Sequence, residues 1–282
     1  MKIYDCFSFY NEFDILDLHL AELYDHVDYF VLAEANTTHQ SKPKEFLFEK
    51  NQDRYAKYLD KIIHVKVEDM PQHPDTWVNE RFQRDAIMRG LVDAHPDDIC
   101  IIGDVDEIPR VEVVQSMRAE PRDIMGLRIP YFNFKYNYML INNTETYYVW
   151  TVACRRKLLD NPSEFRQQRF SLHGLGYNYD DNNVRMYEHA GWHFTYMGND
   201  DFIRNKIKNF AHAELNRDDV LDRISVEESI RRGIGFNPDD PRQFVPVLLD
   251  DYFPKTILAN PDHYRDTTLS SAQNSARQYL PQ

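Results

Sequence analysis

Four short apolar runs in the first hundred residues constrain the fold of this 282-residue chain more than any other feature. They cover residues 2–7, 29–33, 62–67 and 99–102, and their length and their aromatic and β-branched content mark them as strands. Between them apolar residues recur at helical spacing. Ile15, Leu16, His19, Leu20, Leu23 and Val27 share one face behind Asp14 as N-cap, and Trp77, Phe82, Ala86, Ile87 and Leu91 belong to a second helix that ends before Pro96. Strand and helix in alternation predict an α/β fold with a mostly parallel sheet flanked by helices, in which ligands collect at the carboxyl ends of the strands.

Beyond Pro109 the pattern is mixed. Strands are expected over 124–129, 131–140, 147–154 and 191–197, and helices over 201–215 and 220–232. No Gly/Pro/Ser-rich linker interrupts the chain, so one domain is expected over 1–264, in halves 1–109 and 110–264, with 265–282 a polar tail.

The formal net charge of −13 argues against nucleic acid or an anionic membrane as partner, since both attract basic surfaces. Cys6, Cys100 and Cys154 are odd in number and widely spaced, which fits neither a disulfide framework nor a zinc site and points to a reducing, cytoplasmic setting. No run approaches the ~18 apolar residues of a membrane span, and Asp5 and Glu12 interrupt any signal-peptide core, so membrane contact is expected to be peripheral at most.

The segment carrying chemistry is Ile101-Ile102-Gly103-Asp104-Val105-Asp106-Glu107-Ile108-Pro109, where a buried strand runs into three carboxylates. Hard divalent cations such as Mn²⁺ or Mg²⁺ take oxygen ligands, and through such an ion an anionic turn can hold a diphosphate. The same residues also suit a solvated acidic loop, or a haloacid-dehalogenase-like phosphatase with Asp104 as nucleophile. Against the phosphatase, Ile108 stands where that motif expects Thr or Val.

Together with Phe9-Tyr10-Asn11-Glu12-Phe13-Asp14, the run from Val27 to Glu34, and His189-Ala190-Gly191-Trp192-His193-Phe194, this segment resembles the family 17 glycosyltransferases over about Asp5 to Tyr264. The resemblance implies a GT-A-like fold and a UDP-sugar donor, with N-acetylglucosamine the expected sugar. It also implies a carbohydrate acceptor and inversion at the anomeric carbon. The first half would then bind the nucleotide sugar and the second half the acceptor. By the same resemblance Asp106 ligates the metal, Asp104 shares it or contacts ribose, and His193, ahead of His212, completes the shell. Asn11, Glu12, Glu34 and Arg84 become candidate base or ribose contacts, while Lys42 and Lys44 could reach the diphosphate. Inversion needs a base for the acceptor hydroxyl, for which Asp201 is expected and Asp200 is the alternate. Helix capping is the bland reading of that pair. The loops between Tyr131 and Glu188 depart from the animal members, which also carry a membrane anchor and stem. A bacterial or viral surface glycan or a lipid-linked saccharide is therefore as much expected as an N-glycan. A non-catalytic sugar-binding protein is the reading from another class.

Overall fold

The computed structural model describes residues 1–141, 147–176, 178–237 and 239–269. In chain order the elements are β1 (Ile3–Ser8), α1 (Phe13–Leu23), β2 (Tyr29–Ala35), α2 (Leu47–Lys50), β3 (Ile62–Val67), α3 (Thr76–Asp85), β4 (Ile99–Asp104) and β5 (Glu107–Pro109). There follow α4 (Val111–Ala119), β6 (Ile124–Asn133), β7 (Tyr138–Ile141), β8 (Tyr147–Arg155), α5 (Pro162–Arg166), α6 (Gln168–His173), β9 (Val184–Tyr187) and β10 (Gly191–Thr195). The last are α7 (Asp200–Ile207), α8 (Asp218–Leu221), α9 (Val226–Arg232), β11 (Gln243–Pro246) and α10 (Lys255–Ala259). The expected tail from residue 270 onward lies outside the described residues.

The apolar runs form the parallel block β3-β2-β1-β4. Because side chains alternate across a strand, each run feeds two cores. Ile3, Phe7, Phe30, Leu32, Ile99 and Ile101 pack with Leu16, Leu20 and Leu23 of α1 on one face. Tyr4, Cys6, Val31, Ala33, Cys100 and Ile102 pack with Ala86, Ile87 and Leu91 on the other. Burial on both faces explains why these strands are continuously apolar. Asp5 is the exception in β1, on the α1 side where His19 meets it, and the edge strand β3 carries His64 and an exposed Lys66.

The expected mostly parallel sheet is not what forms. β8 is antiparallel to β4, β6 to β8, β7 to β6 and β11 to β7, so the fold is mixed α/β. The connections between β6, β7 and β8 are too short for the crossover that a parallel return requires. A register shift at Leu127/Arg128 divides β6, whose first part pairs with β9 and whose end pairs with β10. The strand expected over 131–140 breaks at Phe134, which takes a φ of 64°.

Helices are shorter than expected. α1 begins at Phe13, so Asp14 is in its first turn and pairs with Arg54 instead of capping. α3 tightens after Asp85 into a 3₁₀ turn over Ala86–Gly90, where Gly90 packs so closely that a Cβ would stand 2.6 Å from Val31 Cγ1. α7 stops at Ile207, and Gln40 Nε2 donates to the carbonyls of Ile207 and Phe210 at 3.0 and 3.2 Å, capturing acceptors that a helix end leaves unpaired. The helix expected over 220–232 is split into α8 and α9. Among the described residues no helix is long and apolar enough to cross a membrane.

Candidate active site

β4 delivers Asp104 to the carboxyl edge of the parallel block, beside Ser8 of β1. The chain turns through Val105 and Asp106 into β5, which pairs antiparallel with β10 and sets Glu107 opposite His193, Ile108 opposite Trp192 and Pro109 opposite Gly191. Phe194 N donates to the Asp106 carbonyl at 2.8 Å. Two motifs far apart in sequence are thus one structural unit. Gly191 permits the pairing, because a Cβ there would lie 2.2 Å from the Ile108 carbonyl oxygen.

The turn is also held from behind. His19 Nδ1 donates to the Val105 carbonyl at 2.8 Å, and Nε2 donates to Asp5 Oδ2 at 2.7 Å. Both partners are acceptors, so a charged imidazolium satisfies the site best. Burial opposes that charge, but Asp5 and the Val105 carbonyl raise the His19 pKa.

Two arginines organise one side of the turn. Arg84 Nη2 donates to Asp104 Oδ1 at 2.8 Å, and Arg166 Nη2 donates to Oδ2 at 2.9 Å. Arg166 also grips Glu107, with Nη1 and Nη2 at 2.9 and 2.6 Å from Oε2 and Oε1, while Thr151 Oγ1 donates to Oε2 at 2.9 Å. Burial would raise the Asp104 pKa, but Arg166 and Arg84 outweigh it and hold this carboxyl far below the usual range. Glu107, wholly buried, is lowered in the same way by Arg166.

Asp106 is compensated less. Lys206 Nζ stands 3.4 Å from its Oδ2 and His193 Nε2 stands 3.6 Å from its Oδ1. Burial, with Asp104 and Glu107 nearby, pushes the Asp106 carboxyl above its ordinary pKa despite Lys206 and His193. Lys206 also reaches Glu12 Oε1 at 3.2 Å, so it bridges two acids, and these keep it protonated against burial.

These groups line a cavity of about 800 Å³. Its lining includes Tyr10, Thr37, His39, Gln83 and Arg84 from the first half of the chain and Tyr131, Trp150, Arg169, His193, Asp240 and Arg242 from the second. Among the described residues no three His, Cys, Asp or Glu side chains converge into an all-protein metal cage. A cation that takes most of its ligands from a diphosphate and water needs only one or two protein ligands, and Asp106 with His193 fits that partial set.

Of the residues singled out from sequence, Glu12, Lys44, Arg84, Asp104, Asp106, Glu107, His193 and His212 line this cavity. His212 is at its mouth, half exposed and bonded to Glu214. Glu34 is fully buried and structural. Its oxygens accept from Lys44, from the Leu47 and Phe48 N–H groups at the start of α2, and from His64, so it is no nucleotide contact. Asn11 does not line the cavity, and Trp192 belongs to the core. Asp200 and Asp201, expected to supply the base, lie outside. Asp200 Oδ1 accepts from Val226 N at 2.8 Å and so holds the start of α9, whereas the Asp201 side chain is 92% exposed and pairs with Arg204. Asn199, not either acid, caps α7. Sequence reasoning missed Arg166, Arg169, Lys206 and Asp240. No motif marks them, because each reaches the cavity from a different part of the chain. Asp5 and His19 left a fainter signal, an acid inside an apolar strand and a histidine on an apolar helix face.

The sequence profile of Glycosyltransferase family 17 matches residues 1–244. Beta-1,4-mannosyl-glycoprotein 4-beta-N-acetylglucosaminyltransferase of Rattus norvegicus is 24% identical, over 94% of this chain and 54% of its own length. The Homo sapiens protein of that name is also 24% identical, over 93% and 54%. The chain therefore spans about half the length of the curated relatives it matches. A mannosyltransferase from Pyrobaculum calidifontis, solved with GDP-Man and Mn2+, superposes with a TM-score of 0.38 over 66% of this chain and 56% of its own at 11% identity, a likeness too slight to carry an argument.

Proposed function

The chain belongs to glycosyltransferase family 17, and from that premise we propose that it transfers a sugar, N-acetylglucosamine first, from a UDP-sugar to a glycan hydroxyl with inversion. A GT-A-like domain over residues 1–264, with the nucleotide sugar on the parallel half and the acceptor on the mixed half, is part of this reading. So is a reducing, cytoplasmic setting, which three free and buried cysteines support. The observation that carries the proposal is the convergence of Asp106 and His193 at the end of β4, inside a cavity large enough for a nucleotide sugar.

Asp106 and His193 would hold Mn²⁺ or Mg²⁺, which when bound offsets negative charge on the departing diphosphate. Lys206 adds a fixed positive charge beside it. Arg84 and Arg166 lock Asp104, and with it the geometry of the turn. Both Asp104 oxygens are engaged, which disfavours the nucleophilic role that a phosphatase would need.

In the transfer the acceptor oxygen bonds to the anomeric carbon. The bond to UDP breaks with its electron pair left on the diphosphate, and the hydroxyl proton passes to a base. Asp240 is our candidate for that role, since it has one arginine partner, its chain neighbour, where Asp104 is clamped by two from separate helices. It is 12% exposed, and Arg242, whose guanidinium lies over the Tyr131 ring, orients it at 2.6–2.9 Å. The Tyr131 ring is 4.9 Å from that of His193, so Arg242 and Asp240 stand on the His193 side of the cavity. Calorimetry with UDP, with and without Mn²⁺, tests donor binding, and UDP release from UDP-N-acetylglucosamine tests turnover. No heat in either condition sinks the reading, while binding without turnover or UDP release under any acceptor supports a non-catalytic protein. Asp240→Asn should lower kcat by ~10²–10⁴ with UDP binding intact.

A further inference from the structure

Each other cation that is buried or half-buried in the cavity lining has its carboxylate: Arg84 has Glu80 and Asp104, Arg166 has Asp104 and Glu107, Lys206 has Glu12 and Asp106, and Arg242 has Asp240. Arg169, in the first turn of α6, is the exception. It lines the cavity and its Nε is buried, yet among the described residues it makes no hydrogen bond or ion pair. Ring faces hold it instead, with its guanidinium 6.0 Å from the Trp150 centroid and 5.0 Å from that of Phe170. Burial and the neighbouring Arg166 and Arg84 lower its pKa, and Glu107 and Asp104 offset them only in part. Arginine does not give up its proton under such pressure, so its charge persists with no group bonded to it directly. Burying a charged group without a partner is costly, and an incoming anion removes that cost.

Its place says which part of a substrate brings the anion. The Trp150 ring is 4.7 Å from that of His193, and His193 stands 3.6 Å from Asp106. Arg169 therefore belongs to the elements of the second half, on α6 against Trp150 of β8, and not to those that carry Tyr10, Thr37, His39 and Gln83, where the nucleotide is placed above. It lies beside a flat indole whose own Nε1 is buried without a partner. An aromatic face with an adjacent guanidinium fork suits a sugar ring bearing a planar carboxylate.

We propose that Arg169 seats a carboxylate carried by one of the two sugars in the reaction, so that the donor or the acceptor is an acidic saccharide. This rests on the sugar-transfer reading above. Calorimetry on the full chain separates the two sources. One arm compares methyl glucuronide with methyl glucoside, with and without UDP and Mn²⁺. The other compares UDP-glucuronic acid with UDP-glucose in Mn²⁺. In one arm the acid should bind at least tenfold tighter than its neutral counterpart. Arg169→Gln should abolish that preference and Arg169→Lys retain part of it, with UDP affinity within twofold of wild type in both. The proposal is overturned if neither arm prefers the acid, if the preference survives Arg169→Gln, or if Arg169→Gln weakens UDP itself tenfold, since the guanidinium then serves the diphosphate. Should the wild-type chain bind no UDP with Mn²⁺, the transferase reading fails separately, and the glucuronide pair without nucleotide still decides the seat. Unchanged unfolding midpoints of both variants establish that the fold is intact.

Discussion

Asp104 and Asp106 are two residues apart in one turn, yet their surroundings are opposite. Asp104 is gripped by two arginines that also bind Glu107 and the Gly103 carbonyl, although its side chain is 37% exposed. Asp106 is 9% exposed and has only Lys206 and His193, neither closer than 3.4 Å. The overcompensated carboxylate is part of the scaffold, and the undercompensated one is where a further cation would be welcome. An Asp-x-Asp pattern alone could not assign these roles, because both residues are the same chemical group.

The largest expected effect is on the Asp106 side. Asp106→Asn should lower turnover about a thousandfold, several kcal/mol of charge stabilisation, while Lys206 keeps Glu12 as its partner. Its urea midpoint should not fall, because the charge removed is one that burial disfavours. A variant that unfolds easily but keeps its activity would reverse the assignment.

On the Asp104 side the effect should fall on stability. Arg166→Met strands Glu107 as a buried charge, a change of the kind that costs about 3–5 kcal/mol. Denaturant unfolding measures it, and a loss below ~1 kcal/mol would mean that Arg84 and Thr151 suffice. Gly191→Ala should cost about 1–3 kcal/mol, because its methyl group meets the Ile108 carbonyl and forces β5 from β10.

The support behind the turn should depend on pH. The folded pKa of His19 is raised, so its contribution is fully present below the unfolded value of about 6.5 and is lost as pH rises through the folded value. The stability gap between wild type and His19→Gln should therefore narrow between pH 6 and pH 9, and an equal gap at both would show that His19 does not titrate with folding. The smallest effect is expected at Asp201, where Asp201→Ala should leave kcat within twofold and stability within ~0.5 kcal/mol. A large loss of kcat there would return the base to α7 and displace Asp240.

The residues that could be read in advance are those whose neighbours in the chain define them. The runs that became β1, β2 and β4 are apolar on both faces because both are buried, and that pattern is local. The acidic turn was legible for the same reason, since a strand ending in three carboxylates needs no partner to be noticed. Family membership, too, was carried by ordered motifs. Asp200 and Asp201 misled because acids at a helix start cap and catalyse with the same atoms, and only the placement of α9 shows that Asp200 is spent on Val226 N. Glu34 misled in the same way, its burial being decided by α2 folding back over β2.

What the sequence by itself determined was the parallel block, the acidic turn at its edge and the family. Only the tertiary structure decided that the second half returns antiparallel, that Asp104 is clamped while Asp106 is not, and that Arg166, Lys206, Asp240 and Arg169 complete the cavity. The reason is physical. Strand and helix patterns arise from periodic contacts with the core, whereas the charge state and reach of a side chain depend on groups brought together from 59 to 100 residues away, as between Arg166 and Glu107 or Lys206 and Asp106.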